Sequence, residues 1–388
     1  MKESQYIDDK IQRVSEAKND AHSSLSVLIE PTSSCNLECR YCYKGNKQHI
    51  FMTRETFELA AQKVISYCRD HERPLLFVWH GGEPTMAGAE FYQRSFQYCA
   101  DHGNGHKIAH TLQTNGTLLT DDLLDTFVAH KVSIGVSLDG PADYHDTMRP
   151  MRGGGATHDR IIDGILRARA RGVEVGVLMS ITKHNIGNIS NMFRFCQEHK
   201  LTFGLNPISN DLHSRHDDIE ISPAEYLKAC IEAYDLWFYQ SENPIQVNPG
   251  YGVTRLLLSK NRLSDCTMSE NCQMHFISIG PEGDVYPCNR FYGLNDYRLG
   301  NIVNDHLENI MTSERRRYLA DRRPDKIEQC RDCSIAEYCN GGCMHHAVVH
   351  NGALYSPDHL CTVYKGLVKH ALKRIDESLP KIQIKQEV

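Results

Sequence analysis

No stretch of the 388-residue chain approaches the roughly 20 apolar residues that a membrane span needs. The amino terminus, Met1-Lys2-Glu3-Ser4-Gln5-Tyr6-Ile7-Asp8-Asp9-Lys10, is polar and charged and lacks the apolar core of a secretory signal. A basic surplus is missing too. Forty-three Lys and Arg against 49 Asp and Glu leave a net charge of −6, which argues against charge-driven attraction to nucleic acid or anionic lipid. No internal repeat and no low-complexity segment organises the chain. These absences predict a cytoplasmic globular protein with neither a nucleic-acid nor a membrane partner. A hydrophobic content of 40% and a charged content of 24% fit that class, and the length suggests a large domain plus a smaller one.

Cysteine, by contrast, is abundant. Fifteen cysteines in a chain without an export signal must be kept reduced or serve as ligands, since disulfide scaffolds are usually short secreted chains. Eleven fall into two groups. The front group is Cys35, Cys39 and Cys42; the rear group is Cys266, Cys272, Cys288, Cys330, Cys333, Cys339, Cys343 and Cys361. A cubane iron–sulfur cluster takes four thiolates, so the front triplet leaves one iron open while the rear eight make two closed sets. Structural zinc is the rival for the rear, where Cys330-x-x-Cys333 and Cys339-x-x-x-Cys343 have zinc-like spacings, but the front spacing is uncommon for zinc. Cys68, Cys99, Cys196 and Cys230 lie in helix-like stretches and read as small buried hydrophobes. His345, His346 and His350, just after Cys343, read as packing or exposed residues because the cysteines already saturate the clusters. The paired acids Asp8-Asp9 and Asp121-Asp122 read as solvated helix starts.

Strands alternate with helix-length segments. Runs at 25–29, 75–79, 108–112, 132–138, 173–181 and 202–205 predict six strands, and Thr53 predicts the cap of a helix reaching about Arg69. Such spacing implies parallel pairing with right-handed crossovers, in a partial barrel or a doubly wound sheet. The strand pattern alone separates neither. Each of the first four strands runs into a chemically unusual loop, however, and all four loops must lie at one C-terminal edge, where barrel enzymes build their sites. Helical spacing would put Cys35, Cys39 and Cys42 on one face, yet Asn36 and Pro31-Thr32-Ser33-Ser34 favour a loop wrapped around a cluster.

With these loops the chain resembles the radical S-adenosylmethionine (radical SAM) superfamily. That resemblance implies that Cys35, Cys39 and Cys42 hold a [4Fe–4S] cluster whose open iron binds SAM, releasing a 5′-deoxyadenosyl radical on reduction. It also implies SAM-binding roles for the other loops. Gly81-Gly82-Glu83-Pro84 resembles the strip around the SAM amino group, with Glu83 accepting from the ammonium. Gln113-Thr114-Asn115-Gly116 and Ser137-Leu138-Asp139-Gly140-Pro141 resemble segments at the ribose and carboxylate, so Gln113, Asn115 and Ser137 are expected there. Arg149 fits a carboxylate clamp, and Tyr41 matches the aromatic residue near adenine.

The rear half resembles the SPASM extension of peptide-modifying members. By that resemblance Cys266, Cys272, Cys288 and Cys343 hold one auxiliary cluster, and Cys330, Cys333, Cys339 and Cys361 another, for three [4Fe–4S] clusters in all. The expected fold is α/β: a partial (β/α)6 TIM barrel followed by a C-terminal SPASM domain. Its divisions are 1–24 (extension), 25–250 (barrel), 251–365 (SPASM) and 366–388 (helix or tail). The implied enzyme is a peptide-modifying oxidoreductase, with a precursor peptide as substrate and flavodoxin or ferredoxin as reductant. The loops are similar to those of sulfatase-maturating enzymes, but those place an Asp, assigned as the substrate's base, where this chain has Asn289. An amide cannot take a proton at neutral pH. The expected product is therefore a carbon–carbon, cyclophane-type cross-link, with formylglycine or a thioether as alternatives.

Overall fold

In the computed structural model the described residues are 24–45, 48–240, 244–259, 266–268 and 271–378. The expected extension 1–24 lies outside them save Ser24, as do Asp8-Asp9 and the end of the chain past 378. Ten strands form one sheet: β1 (Leu25–Ile29), β2 (Leu75–Trp79), β3 (Ile108–Thr114), β4 (Ser133–Ser137), β5 (Val175–Ile181), β6 (Phe203–Pro207), β7 (Val247–Asn248), β8 (Phe276–Ile279), β9 (Asp284–Tyr286) and β10 (Gly300–Asn301). Their spatial order is β10-β9-β8-β1-β2-β3-β4-β5-β6-β7, and every pair from β8 to β7 is parallel. The first six strands thus follow one another in sequence order. A doubly wound sheet would reverse direction at a switch point. The monotonic order is the winding of a barrel, left open because its ends, β7 and β10, do not meet.

Helices cover one face of this sheet. α1 (Arg54–Asp70) starts at Thr53, whose hydroxyl accepts from the Thr56 amide at 3.1 Å, and it buries Phe57, Ala61, Val64 and Cys68 at helical spacing. α2 (Gly88–His102), α3 (Asp121–Ala129), α4 (Ala142–Met148), α5 (His158–Ala170), α6 (Ile189–Glu198) and α7 (Pro223–Tyr239) follow. α7 opens with a reciprocal capping box between Ser222 and Glu225. Buried strand residues such as Val177, Met179 and Ile181 face these helices, while Leu178 on the opposite face is 38% exposed. Gly135 pairs with Gly176 and Leu178 with Gly204; the Gln113 side chain covers Gly135, whereas a Cβ on Gly176 would meet no atom within 4 Å.

The rear segment is not an appendage. β8 pairs in parallel with the free edge of β1, Ser26 opposite Phe276 through Ile29 opposite Ile279, before β9 and β10 turn antiparallel. After α8 (Gly250–Ser259) come α9 (Cys272–His275), α10 (Leu307–Met311), α11 (Glu314–Ala320), α12 (Ala336–Cys339) and α13 (Met344–Asn351). α14 (Cys361–Ser378) runs unbroken past residue 365 and packs on α7 and α8 at the other end of the barrel. There Asp235 accepts from His370 at 2.7 Å and from Nε and Nη2 of Arg374 at 2.9 and 2.8 Å. The C-terminal residues therefore grip the barrel at both open ends.

Candidate active site

The loop after β1 is irregular through Cys35, Cys39 and Cys42, as its Pro and Asn content predicts. Isolated bridges pin it on both sides, Thr32 to Phe51 and Leu37 to Met151. The loop after β2 lies against it. Gly82 donates to the Thr32 carbonyl at 3.0 Å and Glu83 to that of Ser34 at 2.7 Å. A Cβ on Gly82 would stand 2.1 Å from the Ser34 oxygen, so only glycine permits this approach. From β3, the Asn115 amide donates to Asn36 at 2.9 Å and lies 3.9 Å from the Cys35 sulfur. Three of the predicted loops thus converge on the front cysteines.

Glu83 is held from within the protein. Its carboxylate is 1% exposed, and both oxygens are used within the protein. One accepts from the Thr85 amide (3.0 Å), the Thr85 hydroxyl (2.5 Å) and the Thr114 hydroxyl (2.6 Å); the other accepts from the Asn115 amide at 2.6 Å. Glu83 ties the second loop to the third.

The fourth loop contributes a buried polar group. Asp139 accepts from the Tyr41 hydroxyl and from the Ser180 amide (2.9 Å), and Arg149 donates to the same hydroxyl at 2.6 Å. The His145 ring supports it, receiving the Asp139 amide at 3.1 Å and meeting Thr157 at 2.9 Å. Burial opposes the charge on Arg149, but Tyr41, Cys39 and Asp139 outweigh it and hold the guanidinium protonated. Its Nε is buried with no hydrogen-bond partner among the described residues, a donor suited to a carboxylate. Gln113 and Ser137 bond one another across β3 and β4 at 3.0 Å.

The rear cysteines separate into two groups of four. Cys330, Cys333, Cys339 and Cys361 line one small pocket with Asp358 and Lys365. Cys266 and Cys272 line another with Arg322. Burial, then the neighbouring Cys343, pushes the Cys288 thiol up to about 12, and Cys272 adds to both. Two all-sulfur donor sets fit iron–sulfur clusters, with thiols that must lose their protons on metal binding. Cys68, Cys99, Cys196 and Cys230 are free thiols buried in the apolar core.

Asp358 joins the two groups, and nothing in the sequence marks it. It accepts from the Cys343 amide (2.6 Å), the Leu360 amide (2.7 Å), Tyr364 (3.0 Å) and His346 (3.0 Å). Its own carbonyl accepts from the Cys361 amide at 3.0 Å. Buried Arg322 assists, donating to the carbonyls of Gly341, Gly342, Leu354 and Ser356 at 2.8–2.9 Å. Asn289 stands where the rear domain meets the front loops. Its amide donates to Tyr43 at 2.8 Å and lies 3.4 Å from His80, a ring that burial pushes down to about 4 and so keeps neutral.

The model of the radical SAM superfamily matches residues 29–196, and that of the SPASM iron–sulfur cluster-binding domain matches residues 266–334. Cys339, Cys343 and Cys361 lie beyond the matched stretch. The chain is 27% identical over 368 residues to the cysteine-type anaerobic sulfatase-maturating enzyme of Clostridium perfringens, covering 90% of this chain and 97% of that one. It is 28% identical over 349 residues to the serine-type enzyme of Bacteroides thetaiotaomicron, covering 82% of each. Its fold superposes on the solved structure of native anSMEcpe with bound AdoMet and Cp18Cys peptide at a TM-score of 0.81 and 25% identity. That match covers 92% of this chain and 99% of that one. Among the described residues no helix is long and apolar enough to cross a membrane.

Proposed function

Because the chain belongs to the radical SAM superfamily and carries a SPASM iron–sulfur domain, we propose that it oxidises a Cys or Ser side chain of a peptide or protein substrate to formylglycine. The observation that carries this reading is the evenness of the likeness: the Clostridium perfringens relative matches across both domains and over 97% of its own length. The cross-linked product expected from Asn289 has less support.

Cys35, Cys39 and Cys42 hold the SAM-binding cluster, and the two rear groups hold auxiliary clusters. Bound there, SAM and the clusters supply a hydrogen-abstracting radical in front and an electron sink behind. The chain's own residues prepare the site. The Gly81–Glu83 backbone, Asn115, Ser137 and Gln113 line the SAM side, while Arg149 brings its unpartnered Nε to the carboxylate and Tyr41 packs beside it. Asn289 orients groups rather than taking a proton, and the neutral ring of His80 stands next to it.

The test uses the cluster-loaded enzyme with reductant, SAM and a Cys-bearing sulfatase peptide or its Ser counterpart. The expected product is an aldehyde, trapped by a hydrazide reagent and located by mass spectrometry. A product that has lost hydrogen without forming a hydrazone favours the second reading, cross-linking, for which Asn289 is the specific support. Intact peptide alongside cleaved SAM refutes formylglycine formation on these sequences. Asn289→Asp separates the readings further, because restoring a carboxylate accelerates aldehyde formation by about tenfold or more if a base is what the position lacks.

A further inference from the structure

Behind the rear clusters, three side chains from three separate segments meet. Glu220 comes from the loop between β6 and α7, His350 from the last turn of α13, and His359 from the turn that leads into Cys361 and α14. Their potential ligand atoms all lie within 4.8 Å of one another, and each residue is half-buried. We propose that these residues form a fourth metal site, separate from the cysteine clusters, which binds a single divalent ion of the zinc class through two imidazoles and one carboxylate.

Several observations support this. The rings of His350 and His359 lie flat against one another, with centroids 3.7 Å apart and planes 9° apart. One of these parallel rings must turn about its Cβ–Cγ bond for both to direct an in-plane nitrogen lone pair at one ion. The Nε2 of His350 is buried and has no hydrogen-bond partner among the described residues, a cost that a metal ion removes. Glu220 is already oriented. Asn210 donates to both of its oxygens, from its backbone at 3.1 Å and its side chain at 3.0 Å, as outer partners do for ligating carboxylates. Nitrogen and oxygen donors of this kind suit zinc, with solvent completing four-coordination. Neighbouring His346 is not a ligand, because Arg290 and Asp358 occupy its two nitrogens at 2.7 and 3.0 Å.

The position suggests what the ion does. Glu220 belongs to the barrel, whereas His350 and His359 belong to the segment that carries Cys343 and Cys361. A metal bridging them clasps the rear domain to the barrel independently of the thiolates, in addition to the Asp235 contacts of α14.

The experiment uses the full-length, cluster-loaded protein, incubated with zinc and passed over a weak chelating resin. Metal content is then measured together with iron. About one zinc per chain is expected, accompanied by a higher unfolding temperature than in the untreated protein. Zinc-edge X-ray absorption should show nitrogen and oxygen neighbours near about 2.0–2.1 Å and no sulfur near about 2.3 Å. Glu220→Gln, which preserves shape, and the double variant His350→Ala/His359→Ala should each lower retained zinc at least tenfold with iron unchanged. Absence of zinc in the wild-type protein, sulfur in the zinc shell, or zinc retained equally by Glu220→Gln overturns the assignment. The absorption spectrum of the wild-type protein decides the matter even if a variant fails to fold.

Discussion

Glu83→Gln tests whether that carboxylate ties loops together or receives a ligand. Gln is nearly isosteric, so the change alters charge and one acceptor atom and little else. In the structure four donors converge on Glu83, two of them backbone amides at 3.0 and 2.6 Å. The Thr85 and Thr114 hydroxyls can rotate and accept from an introduced NH2, but the amides of Thr85 and Asn115 cannot. Gln has one carbonyl oxygen, and it cannot serve both amides from opposite ends of the group. One buried backbone N–H is left without its acceptor, and the charge-assisted character of the others is lost, for a cost of about 2–4 kcal/mol. Urea unfolding of the cluster-loaded protein should register that loss, while SAM affinity weakens only as far as the loops loosen. If Glu83→Gln leaves stability within about 0.5 kcal/mol of wild type and abolishes SAM binding, the carboxylate is a ligand group and the reasoning fails.

Gly82→Ala drives a Cβ to 2.1 Å from the Ser34 carbonyl, so the front loop must open. It should lose front-cluster iron and SAM binding, whereas Gly176→Ala, which meets no atom within 4 Å, should behave as wild type; equal behaviour of the two refutes the packing argument. Asp358→Asn removes acceptors shared by the two rear groups, so iron should fall from about 12 towards about 4 per chain with the front cluster kept; retention of full iron contradicts the tie. Burial holds His80 down to about 4, His110 to about 3 and His145 to about 2. In the unfolded chain such rings titrate near about 6.5, so below that pH the unfolded state binds more protons. Stability is therefore complete above about pH 6.5 and falls towards pH 4, by up to about 4 kcal/mol per pH unit while all three rings differ in charge. Urea unfolding at pH 7 and pH 5.5 checks this, and equal stabilities would refute it.

The strands were legible because each is a short, strongly apolar run punctuated by Gly, Pro or Asn; the sequence predicts β1 and β2 to the residue. The loops were legible because their glycines and polar residues are contiguous. Contacts carried by a single polar residue across a long sequence separation were not. Tyr41 and Asp139 are 98 positions apart, and Asp358 has no motif around it. The addition of β8 to the edge of β1 was also hidden, since a four-residue strand among cysteines and turns carries little periodic signal. The tie that Glu83 makes was hidden for a related reason: a loop motif names the residue but not the donors that fold onto it. His350 looked like packing because its partners, Glu220 and His359, lie on other segments.

The central claim is that the three front cysteines and the loops around them make a radical-generating site that acts on a peptide. It is tested most directly by reducing the cluster-loaded enzyme anaerobically with SAM and measuring 5′-deoxyadenosine. The account predicts cleavage that rises when a Cys-bearing sulfatase peptide is added, with deuterium transferred into 5′-deoxyadenosine from a peptide labelled at that Cys β-carbon. Cleavage by a variant with Cys35, Cys39 and Cys42 replaced by Ala, or 5′-deoxyadenosine that carries no deuterium from the modified peptide, would contradict it.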